Sequence, residues 1–156
     1  RDYSLLDQLK VRLITNGSLL HRPMVKKGIA RIGAMNGEVW FKVDRASTGG
    51  IVRVNGVHLR PSRVKAALLE CAGLAPTWVQ TCYFSIDGAE ADENEQRSYL
   101  ELIESVREKI KGVHLYGLAR PSLQPDAEKL SNVPPESFRR FAQRISALGV
   151  GVVANP

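Results

Sequence analysis

Five short runs rich in β-branched and aromatic residues, at 11–15, 39–44, 78–84, 113–118 and 150–154, recur along the 156-residue chain with helical patterns between them. They start about 25–40 residues apart, which leaves room for one helix in each interval, and strands alternating with helices in this way form a parallel sheet joined by right-handed crossovers. The rhythm predicts an α/β fold of the doubly wound or (β/α) barrel kind. A chain of this length fits one domain and buries about two thirds of its unfolded surface, so residues 1–156 are expected to form a single α/β domain. Opening in what reads as the tail of a helix at 3–9 and ending on a strand is odd for a complete barrel, and suggests the later part of a longer one.

The clearest helix spans about 91–111, with Tyr99, Leu102, Ile103, Val106 and Ile110 spaced to share one face. Asp92, Glu93 and Glu95 fall in its first turn and Arg107, Lys109 and Lys111 in its last. The helix dipole favours that order, so the acidic cluster needs no functional explanation. A second helix starts near Pro134 and Pro135, turns Phe138, Phe141, Ala142, Ile145 and Leu148 inward, and is closed by Gly149. Ser62 is placed to cap a third, with Val64, Leu68, Cys71 and Ala72 in its stripe and Gly73 at its end. A fourth, less regular, follows His21-Arg22-Pro23 and stops before Asn36-Gly37.

The net charge of +6 is unevenly spread: residues 1–65 carry 13 Lys/Arg against 4 Asp/Glu, and residues 66–156 carry 9 against 12. A basic half attracts anions such as nucleic acid or a phosphorylated or carboxylated ligand. These charges are scattered over several elements, however, with no run of basic residues interleaved with aromatics, so dedicated nucleic-acid binding is not expected. No apolar run approaches the length of a membrane span, and a cytoplasmic protein is expected. The two cysteines, Cys71 and Cys82, match no zinc or iron-sulfur spacing and read as small buried hydrophobes. No metal ligands are assigned. Hydrolase triads, Gly-x-Gly-x-x-Gly after a strand and phosphate loops are all missing.

In parallel α/β folds ligand chemistry collects at the carboxyl ends of strands, so polar residues there matter most. Lys42 and Asp44 end the second run and lie two apart, on the same face of a strand. Burying a cation and a carboxylate is costly unless they meet each other or a ligand, which marks either a site or a structural ion pair. Thr15 and Asn16 end the first run, where Asn16-Gly17 also suits a plain turn. Gln80 lies within the third, as a ligand contact or a buried amide satisfied by backbone. Tyr116, Leu118 and Arg120 end the fourth.

The segment Leu13-Ile14-Thr15-Asn16-Gly17-Ser18-Leu19-Leu20, followed by His21-Arg22-Pro23, resembles the third strand and following helix of radical S-adenosylmethionine enzymes. Trp40-Phe41-Lys42-Val43-Asp44 is similar to their fourth strand, Gln80-Thr81 to the fifth, and Leu115-Tyr116-Gly117-Leu118-Ala119-Arg120-Pro121 to the sixth. The resemblance implies a partial (β/α) barrel, from strand three onward. In that family a four-iron, four-sulfur (4Fe-4S) cluster and S-adenosylmethionine sit at the carboxyl ends of the strands, and reductive cleavage gives a 5′-deoxyadenosyl radical that abstracts hydrogen from a substrate. It further implies that Lys42 and Asp44 face the ribose or substrate as catalytic candidates, and that Thr15 and Asn16 border the methionine or ribose. Gln80 would line the cavity, Tyr116 to Ala119, Leu118 included, would approach the adenine, and Arg120 would stand at the rim.

The family's Cys-x-x-x-Cys-x-x-Cys loop has no counterpart here, so the chain alone is expected to be inactive, with the cluster supplied by a preceding barrel segment. Without that segment the first strand would have an unpaired edge that invites self-association. Two other readings remain open from the sequence: a cluster-less binding module whose basic half holds RNA or another anion, and a half-barrel that serves only in assembly.

Overall fold

The computed structural model describes residues 9–120 and 126–156. Five parallel strands, β1 (Arg12–Thr15), β2 (Glu38–Lys42), β3 (Thr77–Cys82), β5 (Gly112–Tyr116) and β7 (Val152–Asn155), form one sheet in the order β1-β2-β3-β5-β7. Helices α1 (Pro23–Ala34), α2 (Thr48–Asn55), α3 (Pro61–Leu74), α4 (Glu93–Val106) and α5 (Pro135–Ser146) fill the intervals. Strands β4 (Phe84–Ile86) and β6 (Leu130–Asn132) pair antiparallel as a separate two-stranded sheet. The five predicted strands are thus present, each shifted by one to three residues at its ends.

Parallel neighbours that follow one another along the sheet, joined by crossovers that are right-handed as a rule, place α1, α3, α4 and α5 on the same face. The burial pattern agrees with that geometry. Val39, Phe41, Val79, Val113 and Leu115 are all fully buried, in one core with Ile29 of α1, Leu68 and Cys71 of α3, Ile103 of α4 and Ile145 of α5. Each such side chain contributes about 1.5–3 kcal/mol by leaving water. The alternate residues Trp40, Lys42, Trp78, Gln80, His114 and Tyr116 project from the opposite face and are only half-buried. A doubly wound sheet covers both faces, so this one-sided arrangement is an open segment of a barrel wall.

Three local expectations need correction. The helix predicted over 91–111 ends at Val106, so Arg107, Lys109 and Lys111 follow it and its last turn holds no base; Asp92 caps its start by accepting from the Glu95 N–H at 2.8 Å. Ser62 does not cap α3, whose N-cap position is Arg60 without a side-chain bond, because Pro61 already takes the first turn; Gly73 lies inside the helix rather than at its end. The third run breaks after Cys82, where the chain leaves the main sheet to pair β4 with β6. The helix tail expected at 3–9 lies outside the described residues, apart from Leu9.

Candidate functional site

Strand β2 ends at Lys42, and Asp44 stands just beyond it, 7% exposed. The pair nevertheless meets: the Lys42 ammonium lies 2.9 Å from Asp44 Oδ2 and donates to Oδ1 at 3.0 Å. Lys42 also donates to the Tyr116 hydroxyl at 3.1 Å, across the width of β3. Asp44 Oδ1 accepts a further bond from the Cys82 backbone N–H at 2.9 Å. One buried carboxylate thus ties together the carboxyl ends of β2 and β3, and through Lys42 that of β5. Register explains the reach, since Lys42 pairs with Gln80 in β3 and Cys82 with Tyr116 in β5.

Charges in this cluster are tuned by burial and by one another. Burial alone would lower the Lys42 ammonium, but the Asp44 charge, the hydrogen bond to Asp44 and that to Tyr116 raise it above its ordinary value. Burial and the Asp44 charge push the Cys82 thiol up to about 11, so it stays protonated at neutral pH. Burial likewise raises the Tyr116 phenol, although the Lys42 bond opposes it.

A cavity of about 560 Å³ opens beside the pair, between the β1 carboxyl end, the β2 carboxyl end and the connection from α2 to α3. Asn16, Lys42 and Asp44 line it, and a neighbouring hollow of about 460 Å³ adds Thr15 while sharing Asn16 and Lys42. The turn that shapes this wall needs its glycine. Gly17 has φ of +73°, and a Cβ there would lie 2.6 Å from the Phe41 ring. The Asn16 side chain accepts from the Ser18 N–H at 3.0 Å, as in an Asx turn, which leaves its amide NH₂ available.

The other sequence candidates are placed differently. Gln80 lies on the helix-free face between Lys42 and His114 but lines neither hollow. Tyr116 reaches the site only through its bond to Lys42. The Leu118 N–H is taken by Asn132 Oδ1 at 2.6 Å, so β6 holds the chain that follows β5. Arg120 is exposed at the end of a described segment. Cys71 and Cys82 are both buried, and Cys82 Sγ donates to the Gly117 carbonyl at 3.7 Å.

Sequence reasoning missed Arg45. It is 8% exposed, donates to the carbonyls of Asp44 at 2.8 Å and Phe84 at 3.1 Å, and stacks on the Phe84 ring at 5.0 Å. An Arg just after a strand is ordinarily exposed, and the carbonyls that satisfy it come from positions no local pattern reveals. Helix α2 was missed as well. Its sequence, with two glycines and four β-branched residues, has weak propensity, and it is fixed instead by the Ser47 hydroxyl accepting from the Gly50 N–H at 2.9 Å, by the buried Ile51, and by Gly56 at φ +66°.

No family model matches the chain, and no curated protein matches it. Among solved structures the chain is similar to a domain of pyruvate-formate lyase-activating enzyme from Bacteroides vulgatus, with a TM-score of 0.67 at 14% identity over 98% of this chain and 88% of that one. It is also similar to SuiB of Streptococcus suis bound to S-adenosylmethionine, with a TM-score of 0.65 at 10% identity, and to a radical SAM methyltransferase from Sphaerobacter thermophilus, with 0.60 at 15%. These two cover 97% and 92% of this chain but only 32% and 39% of their own lengths. The chain therefore has the fold of part of a radical S-adenosylmethionine barrel, as its strand segments predicted.

Proposed function

We propose that the chain is the later part of a radical S-adenosylmethionine enzyme and walls the cavity that holds S-adenosylmethionine and substrate. One observation carries this reading: the Lys42, Asp44 and Tyr116 cluster joins three strand ends beside a 560 Å³ cavity, at the end of the sheet where parallel α/β folds place their ligands. A cavity of that size holds a nucleoside with a short tail.

The residues fit the cofactor. Asp44 offers carboxylate oxygens to ribose hydroxyls, while Lys42 neutralises it and fixes its orientation. Thr15 and Asn16 border the methionine or ribose part, whereas Gln80 at the floor, the backbone from Tyr116 through Leu118 at the adenine and Arg120 at the rim are assigned by the family resemblance alone, since none of them lines either hollow. When bound and reduced, S-adenosylmethionine supplies a 5′-deoxyadenosyl radical that takes hydrogen from a substrate. The contribution of these side chains is to orient: Lys42 stays protonated through neutral pH and so keeps its ion pair with the carboxylate, and the Cys82 thiol stays neutral and adds no competing charge.

A four-iron cluster does not fit this chain. It has only two cysteines, both buried, and no group of three or more potential metal ligands occurs among the described residues. On this reading the cluster is held by a preceding barrel segment. The isolated chain, reduced anaerobically with S-adenosylmethionine, is expected to form no 5′-deoxyadenosine above a protein-free control; formation by the chain alone would overturn that assignment. In a longer protein carrying the cluster loop, Asp44→Asn should lower 5′-deoxyadenosine formation at least about tenfold, the loss of one charged hydrogen bond to the ligand. Undiminished formation would sink the cavity-wall role. Among the described residues β1 pairs only with β2, so the same reading expects the chain to self-associate through that edge. A clean monomer in sedimentation at high concentration would count against it.

A further inference from the structure

Two carboxylates line the 560 Å³ cavity, and both are answered. Asp44 is paired with Lys42, and Glu70 with Lys26. On the opposite wall, formed by the α2–α3 connection and the first turn of α3, the lining residues include Asn55, His58 and Arg63. Arg63 makes no ion pair and no side-chain hydrogen bond among the described residues. Arg63 is an exposed guanidinium with no partner among the described residues, and it lines the same cavity as an amide and an imidazole, groups that can donate to a planar or tetrahedral oxyanion. Val57 and Leu59 on the same wall are themselves exposed, at 50% and 38%, and Val64 is half-buried, so the wall is open to solvent and a pairing there is weakened by salt.

We infer that this wall binds the anionic group, carboxylate or phosphate, of a small substrate, with Arg63 as its principal contact and His58 and Asn55 as supporting donors. The inference rests on the reading that the cavity holds cofactor and substrate, and it divides the cavity in two. The Lys42 and Asp44 side takes the cofactor; the Arg63 side sets substrate specificity. The Lys42, Asp44 and Tyr116 cluster at the β2, β3 and β5 ends has no part in the proposed anion contact, so the two sides are separable by substitution.

The test uses the 156-residue chain, ¹⁵N-labelled, titrated with inorganic phosphate and separately with acetate at fixed ionic strength. Saturable shifts are expected at the amides of Asn55, His58 and Arg63. Arg63→Gln should weaken the preferred anion about tenfold and Arg63→Lys by less, whereas Lys27→Gln, an exposed basic control on α1, should leave it unchanged. Tighter binding of phosphate than of acetate assigns the substrate group to phosphate, and the reverse assigns it to carboxylate. Shifts spread evenly over surface lysines, or an unchanged affinity in Arg63→Gln, would overturn the proposal. A parallel titration with S-adenosylmethionine separates the two readings: Arg63→Gln should leave its affinity intact and Asp44→Asn should reduce it. Anion binding without S-adenosylmethionine binding would leave this inference standing and remove the cofactor assignment.

Discussion

Strand β2 carries a buried carboxylate at each end, and the two are built differently. Glu38 opens the strand at 5% exposure and is closed on all sides: Lys10 lies 2.6 Å from Oε2, while Arg12 at 2.8 Å and the Trp40 indole at 3.0 Å donate to Oε1. Burial alone would push this carboxyl up, but the bonds from Lys10, Arg12 and Trp40 bring it down to about 2. Asp44 follows the far end at 7% exposure, with one ammonium and one backbone N–H as partners, and it lines a cavity. The first carboxylate is saturated and borders no hollow among those described here. The second keeps acceptor capacity and faces one. The contrast separates a structural ion cluster from a binding group on the same strand, which burial alone does not do.

The largest expected effect comes from breaking the carboxyl end. Asp44→Ala strands the Lys42 ammonium and the Cys82 N–H and should cost about 2–3 kcal/mol in urea unfolding, below the roughly 3–5 kcal/mol of a fully enclosed pair because half-exposed Lys42 can turn to water. It should also remove S-adenosylmethionine binding. Glu38→Gln should cost less, about 1–2 kcal/mol, since Lys10 and Arg12 are half-exposed and reach solvent once released, and it should leave ligand binding untouched. If Glu38→Gln abolished binding and Asp44→Ala spared it, the assignment of the two ends would be reversed.

The amino end has its own pH signature. A carboxyl depressed in the folded state gives stability that is fully present above its unfolded value of 4.5 and is lost as pH falls toward about 2. Denaturation midpoints should decline across that window in the wild type and less steeply in Glu38→Gln; parallel curves would show that the cluster contributes nothing. The smallest effect belongs to His114, whose ring lies tilted between Trp40 at 4.3 Å and Trp78 at 4.5 Å on the helix-free face. Burial lowers its imidazole below 6.5, so its share of stability is present above pH 6.5 and fades below it. An NMR titration of its ring with a midpoint at or above 6.5 would contradict that account.

Much of this was legible in the residues. The five parallel strands follow from the spacing of β-rich runs, and α4 and α5 from inner stripes whose members Tyr99, Ile103, Phe138 and Ile145 are all buried. The meeting of Lys42 with Asp44 follows from a two-residue offset, although the strand stops at Lys42; Val43 N–H still donates to the Gln80 carbonyl at 2.9 Å, and Asp44 just beyond it reaches the ammonium. What escaped leaves no periodic pattern in the sequence. Helix α2 is stabilised by a cap, a buried Ile51 and a left-handed glycine rather than by propensity; strands β4 and β6 have three residues each, too few for a period to register; and Arg45 is buried by carbonyls 1 and 39 positions away.

The most direct test of the cavity-wall account is the amide map of the labelled chain titrated with S-adenosylmethionine. The account predicts saturable shifts at Thr15, Asn16, Val43 and Asp44, lost in Asp44→Asn and retained in Glu38→Gln. Shifts confined to the Glu38 end or to the helical face, or none at saturating ligand, would contradict it.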